Sequence, residues 1–188
     1  MWNAISNFGD AAVTLPLAVG CAIWIAASDR RVAAYWLVCL SVGMAIVGAT
    51  KILYAGCGIE IREIGFRVVS GHTMLSSAVW TTCIALFLRR SGRSSVGITL
   101  GLASGAIIGA ARVFEEAHTV SEVIAGWAVG STVALFFLRS LDKSHVQLRG
   151  TVVAAVSLLL VSGIAYGHNA PFQSLIDRYS PTICRRIL

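Results

Sequence analysis

Charged residues are scarce in this chain, and their scarcity excludes an ordinary soluble domain. Asp, Glu, Lys and Arg make up 13% of the 188 residues, whereas a typical soluble domain has about 25%. No basic residue precedes Arg30, so the first apolar run lacks the positive flank of a cleavable signal peptide and is expected to remain as a helix. The five cysteines include no CxxC pair, so they give no sign of a metal site.

Long apolar runs are abundant, and they predict membrane-spanning helices. The residues are 56% hydrophobic, and the mean hydropathy is +0.78. A span in lipid must satisfy its own backbone hydrogen bonds, which a continuous apolar run does as a helix, whereas a β-barrel needs short segments of alternating polarity. We therefore predict an all-α integral membrane bundle of about six transmembrane helices, forming a single domain over 1–188. The predicted spans are 11–27, 32–50, 68–88, 94–111, 123–138 and 150–167.

The C-terminal tail, 168–188, follows the last predicted span. It contains Pro171 and a stretch of mixed polarity, for which we expect a short interfacial helix. Cys57 and Cys184 lie outside the predicted spans, so a disulfide between them requires that both face an oxidising compartment. The sequence leaves this pairing and the oligomeric state open.

Basic residues cluster in alternate connections, and this pattern predicts the orientation of the chain. The positive-inside tendency puts the first, third and fifth connections in the cytoplasm and the second and fourth on the outer side. We expect a bacterial inner-membrane protein with its active site on the periplasmic face. Most of the net positive charge lies in these short connections, where it sets the orientation of the chain, so no nucleic-acid partner is expected. The basic residues of these three connections are Arg30, Arg31, Arg89, Arg90, Arg93, Arg139, Lys143 and Arg149.

The outer connections hold the residues that can carry chemistry. His118 and Glu122 are four residues apart, so on a helix they share a face. A carboxylate there can hold one imidazole nitrogen and leave the other free to attack. Arg112 lies six residues before His118, where its guanidinium can bind phosphate oxygens.

A second group of candidate residues begins the third predicted span. Ser70 and Gly71 come just before a helix start, where free backbone N–H groups and the helix dipole favour an anion. His72 follows at once, in a position to donate a proton to a leaving oxygen.

The two groups together resemble the second and third signature motifs of the type 2 phosphatidic acid phosphatase superfamily. Those motifs usually read Pro-Ser-Gly-His and Ser-Arg-x5-His-x3-Asp. This sequence has Ser70-Gly71-His72 followed by Arg112-x5-His118-x3-Glu122, in the same order and beside predicted spans. The resemblance extends over roughly 51–126.

The resemblance implies a metal-independent phosphatase that acts on a lipid phosphate within the membrane and needs no cofactor. By the family pattern, His118 is the nucleophile and forms a phosphohistidine, Glu122 orients it, and His72 protonates the leaving alcohol. The phosphoryl oxygens would be held by Lys51, Arg112, Ser70, Gly71 and Arg67.

The sequence departs from the family pattern at several positions. Val69 stands in place of the usual Pro, Ala111 in place of Ser, and Glu122 in place of Asp. The first motif, Lys-x6-Arg-Pro, would begin at Lys51 and require an arginine at position 58, which is Gly58. Arg62 or Arg67 could supply the missing charge from another loop position. Arg67 is our preferred substitute because it lies close to Ser70, although a pairing of Arg67 with Glu60 or Glu63 is an equal alternative. The missing arginine leaves phosphotransfer open beside hydrolysis.

Two other functions remain open at this point. A metal-dependent membrane hydrolase could use His72, His118 and Glu122 as ligands, but the nearby cations would repel a metal ion. A non-catalytic lipid-phosphate binder or small transporter would also place polar residues near spans. Resistance to a chelator separates the phosphatase from the first alternative. Loss of turnover on replacing His118, with binding retained, separates it from the second.

Overall fold

The computed structural model describes residues 1–144, 148 and 150–165, and most of these residues are helical. Within them, the only β pairing is one isolated bridge between Ile61 and Phe66. The predicted tail, 168–188, and its Cys184 lie outside the described residues, as do the last residues of the sixth predicted span. The α-helices are α1 (Trp2–Ser6), α2 (Ala11–Ala26), α3 (Arg30–Cys57), α4 (Gly71–Arg89), α5 (Ser94–Phe114), α6 (Val120–Lys143) and α7 (Thr151–Ala165).

The predicted all-α membrane bundle is confirmed. In the described part of the chain, five helical segments are long and apolar enough to cross a membrane, and α1 and α2 together form the first of them. The sixth predicted span corresponds to α7, for which 15 residues are described. Large apolar side chains such as Ile23, Val38 and Ile107 are exposed on the helix surfaces, as expected where the solvent is lipid.

The helix ends differ from the predicted span ends, and the differences move two site residues from connections onto helices. Helix α3 continues past the predicted end at residue 50, so Lys51 lies on the helix. It ends at Gly58, whose φ of 67° is the left-handed conformation that suits a glycine at a helix C-terminus. Arg112 is likewise in the last turn of α5. Apolarity marks the stretch within lipid, whereas hydrogen bonding continues a helix beyond it.

Close backbone approach determines how α4, α5 and α6 pack. Helix α4 lies between the other two and contacts both extensively. A Cβ added to Gly101 of α5 would lie 2.2 Å from the Cα of Thr81, and one added to Gly130 of α6 would lie 2.2 Å from the carbonyl oxygen of Met74. Only glycine allows such contacts, which are the means by which small residues bring membrane helices together. The backbone of α4 is therefore fixed relative to α5 and α6.

The alternating directions of the helices bring one set of helix ends together. The N-termini of α2, α4 and α6 and the C-termini of α3 and α5 meet at one end of the bundle. Below them, Trp36 of α3 packs against Phe137 of α6 with 5.1 Å between ring centroids. The indole N–H of Trp36 also donates to the carbonyl oxygen of Ala18 at 3.0 Å. These buried contacts join α2, α3 and α6 and hold the three helices in fixed positions relative to one another.

Candidate active site

A polar cavity of about 380 Å³ opens among these helix ends. It contains six of the eight residues that the sequence singled out: both histidines, Glu122 and the three basic side chains. The other two, Ser70 and Gly71, do not line it. The lining residues are Lys51, Tyr54, Ala55, Arg67, Val68, His72, Arg112, Ala117, His118 and Glu122.

His118 and Glu122 form a short hydrogen bond at the cavity wall. The distance from Nδ1 of His118 to Oε2 of Glu122 is 2.7 Å. The sequence predicted this contact from a shared helix face, but His118 precedes Thr119, the N-cap of α6. Thr119 and Glu122 form a capping box, in which Oε2 of Glu122 also accepts from the Thr119 backbone N–H at 3.2 Å. The cap therefore fixes the carboxylate that holds the imidazole.

The second oxygen of Glu122 connects α6 to the segment that precedes α4. Oε1 accepts from the backbone N–H groups of Arg67, at 3.1 Å, and Val68, at 3.3 Å. The Arg67 guanidinium adds an ion pair at 3.3 Å. The Glu122 side chain is fully buried, so these donors compensate for burying its charge. Neither Glu60 nor Glu63 is the partner of Arg67 in this arrangement; Glu60 pairs with Arg62 at 2.7 Å.

Burial and the surrounding cations keep His118 in its neutral form. Burial is the largest influence and lowers the pKa of His118 from the usual 6.5. Glu122 opposes this shift, while Arg112 and Lys51 add to it. Near neutral pH the imidazole is therefore uncharged. With Nδ1–H donating to Glu122, its Nε2 carries a lone pair.

Three basic side chains from separate segments reach the cavity. Lys51 comes from α3, Arg67 from the segment before α4, and Arg112 from the last turn of α5. One guanidinium nitrogen of Arg112, Nη1, donates to Glu115 at 2.9 Å and to Ser6 at 3.0 Å. Its Nε is buried and, within the described ranges, has no hydrogen-bond partner. Buried donors normally have a partner, so this guanidinium has an unused hydrogen-bond donor.

His72 stands in the first turn of α4, and its partner is Asp10. The distance from Nε2 of His72 to Oδ2 of Asp10 is 3.3 Å. Ser70 is the N-cap of α4, but its side chain makes no capping bond; its Oγ is buried and accepts from the Thr73 hydroxyl at 3.0 Å. The backbone N–H of Ser70 donates to the carbonyl oxygen of Glu122 at 3.1 Å. Ser70 thus ties the start of α4 to the first turn of α6.

Among the polar side chains that contact the site, Ser6, Asp10 and Tyr54 were not predicted from the sequence. Ser6 and Asp10 belong to the N-terminal segment, which folds back over the ends of α4 and α5. Tyr54 lies on the extension of α3, and the Arg67 guanidinium carbon is 5.9 Å from the centre of its ring. Asp10 carried a local signal, because an Asp before an apolar run is typical of a helix N-cap. That signal predicts the start of α2 and says nothing of His72.

An apolar groove of about 460 Å³ lies between α3 and α6. Tyr35, Val38, Val42 and Ile46 line it from α3, and Ala128, Val129, Thr132, Val133 and Phe136 line it from α6, with Cys39 completing the set. The same two helices contribute Lys51 and Glu122 to the polar cavity. Ile46 and Lys51 are only about one and a half turns apart along α3. The groove thus approaches the polar cavity from the membrane side.

The fold and site define a helical membrane protein whose polar cavity combines two histidines with a buried glutamate and three cations. The model of the PAP2 superfamily matches residues 54–145, and the chain belongs to this superfamily, which supports a phosphatase-type activity. A relative from Klebsiella pneumoniae, described as an uncharacterized 22.5 kDa protein in cps region, is 33% identical over 193 residues. The match covers 97% of this chain and 91% of that relative. No solved structure matches the chain.

Proposed function

We propose that this protein is a metal-independent membrane lipid phosphatase that hydrolyses a phosphate or pyrophosphate monoester through a phosphohistidine. The observation that carries the proposal is the His118–Glu122 hydrogen bond of 2.7 Å at the wall of a cavity that also contains His72 and three basic side chains. The whole chain is taken as one transmembrane phosphatase domain.

The nucleophile in this mechanism is Nε2 of His118. Glu122 accepts the Nδ1 proton, which fixes the tautomer and leaves the Nε2 lone pair for the phosphorus atom. The Nε2–P bond forms as the bond between phosphorus and the leaving oxygen breaks. His72 gives that oxygen a proton, so the alcohol departs neutral. Water then attacks the phosphohistidine, its proton passes to His72, and phosphate leaves with His118 restored.

The basic side chains stabilise the charge of the transferring phosphoryl group. Lys51, Arg67 and Arg112 surround one cavity from three directions, an arrangement that supplies fixed positive charge where the transition state spreads negative charge over its oxygens. In this proposal Arg67 replaces the arginine absent at Gly58. Ser70 and Gly71 contribute through the start of α4, which carries His72 to the cavity wall.

The apolar groove supports a lipid as the substrate. A lipid phosphate has its charged group at the headgroup level and its chains in the bilayer. Helices α3 and α6 line both cavities, with the polar cavity at the helix ends and the apolar groove further along the same helices. A chain lying along Val42 and Ile46 would bring its phosphate towards Lys51. The alternation of basic connections supports a site on the periplasmic side of a bacterial inner membrane.

Phosphate release from a panel of lipid phosphates tests this function. The purified protein in detergent micelles is given phosphatidic acid, phosphatidylglycerol phosphate, a polyprenyl pyrophosphate and lipid A, each with and without EDTA. We expect release from at least one lipid, unchanged by EDTA and lost in His118→Ala, while Val120→Ala, an exposed neighbour, remains active.

The same assay separates the alternatives. Turnover that EDTA abolishes would indicate a metal-dependent hydrolase and contradict the proposal. Binding of lipid phosphates without release of phosphate would indicate a lipid-phosphate binder or transporter. Transfer of the phosphoryl group to an added alcohol in preference to water would identify a phosphotransferase that uses the same His118 intermediate.

A further inference from the structure

The N-terminal segment contacts both sides of the catalytic cavity. Ser6, at the end of α1, is buried and accepts a hydrogen bond from Arg112 at 3.0 Å. Trp2 stacks on Phe114 at the end of α5, with 4.5 Å between ring centroids. Asp10, four residues after Ser6, reaches His72. The segment therefore has a fixed place beside the site.

The two oxygens of Asp10 have different partners. Oδ1 accepts from the backbone N–H of Ala12 at 2.7 Å and so caps α2. Oδ2 lies 3.3 Å from Nε2 of His72. Asp10 is buried, and its backbone carbonyl is also engaged, by the hydroxyl of Thr14 at 2.9 Å. Because the cap and the backbone fix the carboxylate, Oδ2 can orient the imidazole without moving itself.

We propose that Asp10 is a positioning residue for proton donation by His72. The inference rests on the proposed phosphatase function. Oδ2 accepts the Nε2–H of His72 and orients the ring, which leaves Nδ1–H as the bond that breaks when the leaving oxygen takes its proton. In the second half-reaction Nδ1 accepts a proton from the attacking water. Asp10 keeps its negative charge throughout, as the carboxylate partner of a catalytic histidine does.

A comparison of leaving groups distinguishes a role in proton donation from a purely structural role. An alkyl alcohol leaves poorly without a proton, whereas 4-nitrophenolate needs little help. Asp10→Asn retains a side-chain oxygen for the cap of α2, since Asn caps as well as Asp, but removes the charge beside His72. Asp29→Asn is the matched control, because Asp29 is the N-cap of α3 and lies away from the cavity.

The measurement is the rate of alcohol release in the first turnover, with a lipid phosphate and with 4-nitrophenyl phosphate. Loss of a general acid typically costs about 10²–10⁴-fold, so a poorly positioned His72 in Asp10→Asn should slow release of the lipid alcohol by about 10²-fold with little change in KM. Release of 4-nitrophenol should fall less than about threefold. Asp29→Asn should match the wild type with both, and Asp10→Glu, which keeps the charge, should recover part of the loss.

Two results would overturn the assignment. Equal losses with both leaving groups, at an unchanged melting temperature, would show that Asp10 does not act through the proton donor. An unaffected rate with the lipid phosphate would show that its charge has no part in the reaction. If the wild type releases neither alcohol, the proposed function itself fails, and the inference about Asp10 fails with it.

Discussion

Replacing Glu122 by Gln changes the tautomer of the nucleophile with almost no change in shape. The amide has one oxygen, whereas the carboxylate accepts from donors on both sides. If the amide oxygen keeps the hydrogen bonds from the backbone N–H groups of Arg67 and Val68, the NH2 group faces Nδ1 of His118 across a 2.7 Å contact. The imidazole must then accept at Nδ1 and carry its proton on Nε2, the nitrogen needed for attack.

The size of the effect follows from this geometry. A wrong tautomer in the Ser-His-Asp enzymes reduces kcat by about 10⁴-fold, so we expect Glu122→Gln to lower kcat by about 10³–10⁴-fold. The amide also leaves about two buried donors unpaired, at about 1–3 kcal/mol each, which amounts to a loss of about 2–6 kcal/mol in the free energy of unfolding. Glu122→Asp keeps the charge but draws it back by about 1.5 Å, one carbon–carbon bond. The activity of Glu122→Asp should therefore lie between that of the wild type and that of Glu122→Gln.

The assay is phosphate release per folded molecule, with the melting temperature measured in the same detergent. Glu63→Gln is the matched control, because Glu63 is an exposed acid in the turn before α4. If Glu122→Gln folds with a wild-type melting temperature and keeps kcat within about tenfold of the wild type, the tautomer of His118 does not control the reaction. Equal activity of Glu122→Gln and Glu122→Asp would show that the charge is irrelevant.

Three further predictions concern pH, phosphate capture and the lipid chain. Because the pKa of His118 is lowered from 6.5, kcat/KM should hold on acidification to below pH 6.5 and then fall as His118 takes a proton; a fall centred above pH 6.5 would contradict this. Arg112→Ala should lower kcat/KM by about 100-fold, whereas the exposed Arg62→Ala should not; equal values for the two variants would remove Arg112 from the site. Ala128→Trp, in the groove, should raise KM for long-chain but not short-chain lipid phosphates. Ile124→Trp on the same helix should change neither, and a uniform rise in Ala128→Trp would argue against a chain in the groove.

The sequence predicted the spans because apolarity is a local property, but it did not predict where the helices end. The predicted span in α3 stopped at residue 50 because Lys51 is charged, yet the helix continues through Ile52, Leu53 and Tyr54 until Gly58 adopts a positive φ. This extension places Lys51 and Tyr54 on a rigid element that faces α6. The positions of these two side chains therefore depend on where the helix ends, which the pattern of membrane spans does not predict.

The site residues were predictable where the motifs are local, and not where the fold joins distant segments. The spacing of His118 and Glu122 indicated their contact, although the contact depends on the cap at Thr119 rather than on a helix face. Ser70 was expected to bind phosphate, but its hydroxyl faces Thr73 in the interior. The pairing of Asp10 with His72 requires the N-terminal segment to return across the bundle, and no local pattern encodes that return.

The most direct measurement of the central claim is to trap the covalent intermediate. Wild-type protein is mixed with a ³²P-labelled lipid phosphate, quenched in alkali within the first turnover and digested, and the labelled residue is identified by mass spectrometry. We expect an acid-labile phosphate on His118, absent from His118→Ala. Label on another residue, or continued turnover by His118→Ala, would contradict it.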